Sequence, residues 1–202
     1  DFTSNSDAVG TVYGNYQAII SRANFIIGGY DKCDMSNEML FTPEEKANVS
    51  NIKGEAFFVR AYSIFMLSQY FCADYDANTA TAANSGVSYR LDYAPSSSSS
   101  TYPGRKTLAE TYTQVKNDLD SAALYITTEG MPSNIRISKD AITALRARVA
   151  LAMDDYTNAA AFAESLIESG TYTLAADMDE LADLWYNDGG NETILQLAIA
   201  SA

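Results

Sequence analysis

Three groups of residues have the types and spacing to do chemistry. In "DYDAN", Asp74, Asp76 and Asn78 follow the one-three-five spacing of a calcium-binding loop. The sixth position is Thr79 where such a loop needs glycine, and the twelfth is Ser85 where it needs a bidentate Glu. A solvated turn is therefore the expectation. Glu55 and Arg60 lie five apart in "GEAFFVR", with no second carboxylate opposite for acid–base work. Their expected role is an ion pair or cap between helices, with Arg146 or Arg148 as candidate partners. The third group is aromatic: Tyr75, Tyr89, Tyr93 and Tyr102 in a long polar segment, and Trp185 beside Tyr186 and "NDGGN". Such rings stack on apolar ligand faces while their polar tips stay wet, so these five are the candidate ligand contacts. The run "SSSSS" reads as flexible linker.

Composition removes several classes of chemistry. Histidine is absent, which excludes Ser-His-Asp and Cys-His catalysis and every His-containing zinc site. Cys33 and Cys72 allow one disulfide or two buried free thiols, but no four-thiolate zinc site. No catalytic residue, metal or cofactor is expected. The net charge is −13, from 13 basic and 26 acidic residues, and no basic run occurs. Nucleic acid is not an expected partner, because phosphate binding needs clustered Lys and Arg. A neutral ligand, such as a glycan or a peptide, suits this charge. No stretch of about 18 apolar residues exists to span a bilayer. The chain opens at Asp1 without a signal peptide and ends within "ETILQLAIASA", so it reads as a mature fragment or excised domain.

The elements that must position these groups are helical. In 11–28, Val12, Tyr16, Ile19, Ile20, Ala23 and Ile27 recur at helical spacing, and Gly28-Gly29 is expected to end the helix. Thr42, Pro43 and Glu45 open a second helix with a capping box, expected to run to about Phe71. Its expected apolar stripe is Val49, Ile52, Ala56, Val59, Phe65, Met66 and Tyr70, and its aromatics are expected to be core. Between about 74 and 106 periodicity vanishes, leaving a loop-rich insertion in which "GVSYRL" could form a short extended piece. Thr107 and Glu110 start a third helix, with Leu108, Tyr112, Val115, Leu119, Ala122 and Tyr125 along one stripe. Two further helices, 138–152 and 157–169, form a tetratricopeptide-type hairpin that stops at Gly170. Ala147, Ala150, Ala159 and Ala163 are expected where these two approach closely, and 107–126 is expected to join them. The tail reads as a short helix, a loop and an extended "TILQLAI". The fold class is mostly α, with tetratricopeptide-like helical hairpins and a long irregular loop, in a single domain over 1–202.

Five segments, in order, resemble the SusD/RagB family of outer-membrane nutrient-binding lipoproteins. "YQAIISRANFII" is similar to the family's early helix. "KGEAFFVRAYSIFMLSQYF" carries its most recognisable residues: Glu55, Phe58, Val59, Arg60, Ala61, Tyr62 and Phe65. "GRKTLAETYTQVKNDLDSA" matches at Arg105, Thr107, Glu110, Tyr112, Asp118, Leu119 and Ala122. The pair in 138–169 ends in the family's Gly-x-Tyr-x-Leu, here Gly170, Tyr172 and Leu174, and "NETILQLAI" follows. Two departures concern the local loop path: "YFCADYD" replaces a Gly-x-x-Pro turn, and Phe57 stands where a second Arg is common. The resemblance implies a non-catalytic protein, lipid-anchored at the cell surface, that captures an oligosaccharide alongside a SusC-like TonB-dependent transporter. It also implies a lipid-bearing Cys and a C-terminal half beyond this stretch, with part of the ligand site among them. The alternatives are a peptide-binding member of the family, or a helical scaffold for a protein partner with no small ligand.

Overall fold

The Thr42 hydroxyl accepts the backbone N–H of Glu45 at 3.2 Å, and the Glu45 carboxylate accepts the Thr42 N–H at 2.7 Å. This reciprocal box, with Pro43 at the first helical position, starts the longest helix as the sequence requires. The same device recurs between Thr107 and Glu110. The structure is a computed structural model describing residues 7–34, 36, 41–96, 98–130, 135–187 and 190–196. Among these, the α-helices are α1 (Asp7–Asp31), α2 (Pro43–Phe71), α3 (Leu108–Tyr125), α4 (Lys139–Ala152), α5 (Tyr156–Glu168) and α6 (Met178–Asn187). One 3-10 turn spans Ser99–Thr101, and no strand occurs among the described residues. The mostly α, hairpin-built fold class is borne out.

The chain divides into two compact units after Ile126. In the first, α2 packs against both α1 and α3. That position explains why the expected stripe on α2 is only partly right. Ile52 and Tyr70 are exposed and Val49, Val59 and Met66 only half-buried, while Phe58, Ala61, Ile64 and Leu67 join Ala56 and Phe65 in the core. A helix flanked on two sides buries more than one stripe, so a single 3.6-residue period cannot describe it. Each fully buried Ile, Leu or Phe contributes about 1.5–3 kcal/mol of transfer free energy. The α3 stripe is as expected: Leu108, Tyr112, Val115, Leu119 and Ala122 are buried, with Tyr125 half-buried. On α1, Ile20, Ala23 and Ile27 are buried but Val12 is exposed.

Two other expectations change here. Gly28 and Gly29 do not end α1, which continues to Asp31. Two contacts beyond the glycines offset their poor helix propensity. The Tyr30 ring meets Tyr125 edge-on with centroids 5.8 Å apart, and Asp31 accepts a 2.6 Å ion-paired bond from Lys53. Lys53 also lies over the Tyr30 and Tyr125 rings, at 4.3 and 4.4 Å from their centroids. And α3 is the third helix of the first unit, packed on α2, rather than a partner grouped with the later pair. Gly54 explains part of this: it lies so close to Ile126 that an added Cβ would be 2.6 Å from that side chain.

In the second unit α4 and α5 form the expected hairpin. Asp155 caps α5 by accepting the Asn158 N–H at 3.2 Å, and Gly170, at φ +64°, ends the segment in the left-handed region. Ala150 is buried and Ala147 and Ala159 are half-buried, but Ala163 is exposed, contrary to expectation. The half-buried side chains of α5 are Ala159, Phe162 and Leu166, a narrow stripe that excludes Ala163. The Tyr172 hydroxyl donates to Asp140 at 2.9 Å, tying the Gly-x-Tyr-x-Leu turn to the first turn of α4. "TILQLAI" forms no strand over 193–196, and its remainder lies outside the described residues.

Candidate functional site

The segment between α2 and α3 has almost no regular structure, yet a buried polar cluster holds it. Arg60 on α2 is 4% exposed, Asp118 on α3 is 1% and Asn24 on α1 is 2%. The Arg60 guanidinium donates from Nε and Nη2 to the two Asp118 oxygens, at 2.8 and 2.6 Å. Its Nη1 donates to Asn24 Oδ1 at 2.8 Å and to the Leu91 carbonyl at 3.4 Å. Asn24 Nδ2 in turn donates to the carbonyls of Arg90 and Asp92, at 2.9 and 3.2 Å. A planar fork matched to a carboxylate suits a dry interior. Every buried side-chain N and O among the described residues has a partner. Arg60 is thus the expected helix-to-helix ion pair, but its carboxylate is Asp118.

Further ties make the loop a fixed wall. Gln17 donates to the Ser88 carbonyl at 2.7 Å. Gly86 and Val87 exchange backbone hydrogen bonds with Lys106 at 2.8 and 3.1 Å, the nearest thing to the extended piece expected at "GVSYRL". The Arg105 guanidinium donates to the Gly86 and Phe71 carbonyls at 2.7 and 3.2 Å.

This wall and the first turns of α3 enclose an open groove of about 910 Å³. Its lining includes Thr81, Tyr89, Leu91, Pro103 and Gln114, and four charged side chains: Arg90, Lys106, Asp92 and Glu110. Arg90 donates from Nε and Nη2 to Asp92 at 3.2 and 2.9 Å, and from Nη1 to the Thr101 carbonyl at 3.2 Å. The Arg90 hydrogen bonds hold the Asp92 carboxyl below the usual carboxylate range. The capping N–H of Thr107 does the same for Glu110, so both are ionised at neutral pH. The groove offers hydroxyls, an amide, two cations and two anions against apolar patches. That is an inventory for hydrogen-bonding a polar ligand.

The predicted contact residues divide. Tyr89 lines the groove, but its ring is buried and its hydroxyl donates to the Glu110 carbonyl at 3.3 Å. Tyr102 stands between the lining residues Thr101 and Pro103, 64% exposed. Tyr93 is exposed and meets the Phe25 ring edge-on, centroids 5.0 Å apart. Tyr75 is half-buried against Tyr112, centroids 5.1 Å apart. Trp185 is exposed on α6 in the second unit. The groove residues Arg90, Asp92 and Gln114 went unforeseen; the one signal was a charged pair, "RLD", inside an otherwise uncharged stretch. Asp76 accepts the N–H and side-chain amide of Asn78, both at 2.9 Å, in a local turn. No group of three or more metal-ligating side chains gathers among the described residues. Both thiols are free. Cys33 is exposed rather than buried, because it lies two residues beyond the end of α1, and Cys72 is half-buried.

Burial, and then the nearby Glu110 and Asp118 charges, push the Tyr89 phenol up to about 12. Its folded value exceeds its unfolded value, so it stabilises the fold fully below about pH 10 and ceases to as pH rises towards 12. Absorbance titration of wild type against Tyr89→Phe should therefore lose one phenol from the latest-ionising fraction. Loss of an early-ionising phenol instead would show that Tyr89 is solvated.

Fold and groove together describe a helical scaffold on which the loop between α2 and α3 and the first turns of α3 form an open groove. The chain belongs to the SusD-like family: the family described as starch-binding and associating with the outer membrane matches residues 2–151. Among solved structures, a SusD superfamily protein from Bacteroides thetaiotaomicron is similar at 26% identity and TM-score 0.77, over 93% of this chain and 38% of that one. The surface glycan-binding protein A from Bacteroides fluxus shares the fold at 20% identity and TM-score 0.66, over 96% and 37%. A laminarin binding SusD-like protein shares it at 20% identity and TM-score 0.67, over 92% and 36%. No curated protein matches. The chain thus spans less than half the length of these structures. The family is one of carbohydrate-binding proteins associated with the outer membrane.

Proposed function

We propose that this chain is part of a longer SusD-like protein that captures oligosaccharide at the outer membrane, without catalysis, for uptake by a SusC-like TonB-dependent transporter. The observation that carries the reading is a family match over residues 2–151, a stretch that contains a pre-formed groove lined by hydroxyl, amide and charged side chains and by Tyr89. The full-length protein is anchored at the cell surface by lipid; no helix among the described residues is long and apolar enough to cross a membrane. Tyr102 and Tyr93 are the proposed stacking contacts. Tyr89 forms the floor, and Tyr75 and Trp185 are secondary candidates.

Titration calorimetry with neutral oligosaccharides tests this. Tyr102→Ala or Tyr93→Ala should each weaken binding about five- to tenfold, roughly 1–1.4 kcal/mol. If no glycan binds while an oligopeptide does, the peptide-binding alternative takes its place. If neither binds, the nutrient role fails. Failure of the full-length protein to co-purify with its transporter would remove the uptake partnership alone. The scaffold alternative draws on the exposed Ile167, Leu174, Met178, Trp185 and Tyr186 of the second unit. It predicts that changes there abolish complex formation while the loop tyrosines are dispensable.

A further inference from the structure

The charges of the groove point to what it selects. Arg90 is the side chain best suited to grip a carboxylate, since a guanidinium binds one through two parallel hydrogen bonds. Here that fork already grips Asp92, two residues along, at 2.9 and 3.2 Å, and the remaining Nη1 is spent on the Thr101 carbonyl at 3.2 Å. The pair is solvent-exposed, so its strength alone would not keep out a competitor. Position does. The backbone carbonyls of Arg90 and Asp92 are both held by the buried amide of Asn24, which Arg60 fixes in turn. The internal carboxylate is therefore pre-placed at high effective concentration, and an incoming one must displace it. Lys106 shares the lining with a second anion, Glu110, whose charge it helps to favour, so the lining's two cations are matched by two anions. An anionic ligand would meet Asp92 and Glu110 and the field of a chain with net charge −13.

We propose that Asp92 is a specificity-determining residue: by occupying the Arg90 fork it closes the groove to acidic sugars and leaves it selective for neutral oligosaccharides. This rests on the glycan-binding reading above. It adds a prediction that reading does not make, that removing one carboxylate opens the site to uronates.

The test is titration calorimetry with hexasaccharides of matched length: neutral gluco-, manno- and xylo-oligosaccharides against hexagalacturonate. Wild type and Asp92→Asn are compared, each with a thermal melt to confirm folding. Wild type should bind at least one neutral hexamer about tenfold or more tighter than the uronate. In Asp92→Asn the ratio of uronate to neutral affinity should rise about tenfold, because the freed guanidinium can pair with a sugar carboxylate. Wild-type binding of the uronate as tight as the best neutral hexamer overturns the proposal and leaves glycan capture standing. An unchanged ratio in Asp92→Asn does the same. Should no hexamer of either kind bind wild type, the glycan reading falls, and this proposal with it.

Discussion

Asp118→Ala is expected to destabilise the first unit by about 3–5 kcal/mol, the cost of leaving a buried charge without its partner. Arg60 would keep its burial and lose both bonds to carboxylate, at 2.6 and 2.8 Å, with only the Asn24 and Leu91 oxygens left to accept. Gln114, which donates to Asp118 at 2.9 Å, would also lose its acceptor. Urea denaturation gives the number, and hydrogen exchange gives the location. Since Arg60 and Asn24 hold the carbonyls of residues 90–92, amides near that turn should exchange faster even where α2 and α3 remain protected. The double variant Arg60→Met with Asp118→Leu should recover much of the loss, because an apolar pair removes the uncompensated charge. A cost below about 1 kcal/mol for Asp118→Ala would mean that water already reaches the pair.

Gly86→Ala should cost about 1–3 kcal/mol, the range for forcing extra volume into a packed site. An added Cβ would stand 2.7 Å from the Thr107 carbonyl carbon and against that carbonyl's oxygen and the Thr111 hydroxyl. Backbone at the cap of α3 cannot step aside as a flexible side chain would. The methyl must push residues 86 and 87 away from Lys106, breaking the 2.8 and 3.1 Å pair that forms one wall of the groove. Ligand affinity should therefore fall together with stability. Gly104→Ala is the control: nothing lies within 4 Å of its added Cβ, and the change should stay within about 0.5 kcal/mol. Equal effects at the two positions would show that chain entropy, not close approach, sets the cost.

The helices were legible because their signals are local. Thr42 with Glu45, and Thr107 with Glu110, are capping boxes within four residues, and the α3 stripe repeats at a period the backbone itself imposes. The α2 stripe misled for the opposite reason. Which sides of a helix are covered depends on how many neighbours it has, and local periodicity does not record that. Gly28-Gly29 misled similarly, since the contacts that extend α1 come from Lys53 and Tyr125, 22 or more residues away.

The candidate site was legible only as a region. The groove lies against the loop-rich stretch between α2 and α3, where the sequence singles out four tyrosines; of these, Tyr89 is in the lining. By itself the sequence determined the helical class, the caps, the absence of histidine chemistry and the ordered motifs that mark the family. Only the tertiary structure decided what those motifs do. Asn24, Arg60 and Asp118 lie 36 and 58 residues apart along the chain, and packing of α1 and α3 on α2 joins them into one buried cluster. It likewise decided that Tyr89 is buried within the groove lining, that Tyr102 is exposed and that Arg90 is tied to Asp92. The physical reason is that capping and periodicity act over a few residues, whereas ion pairing, burial and groove shape arise between segments that meet only on folding.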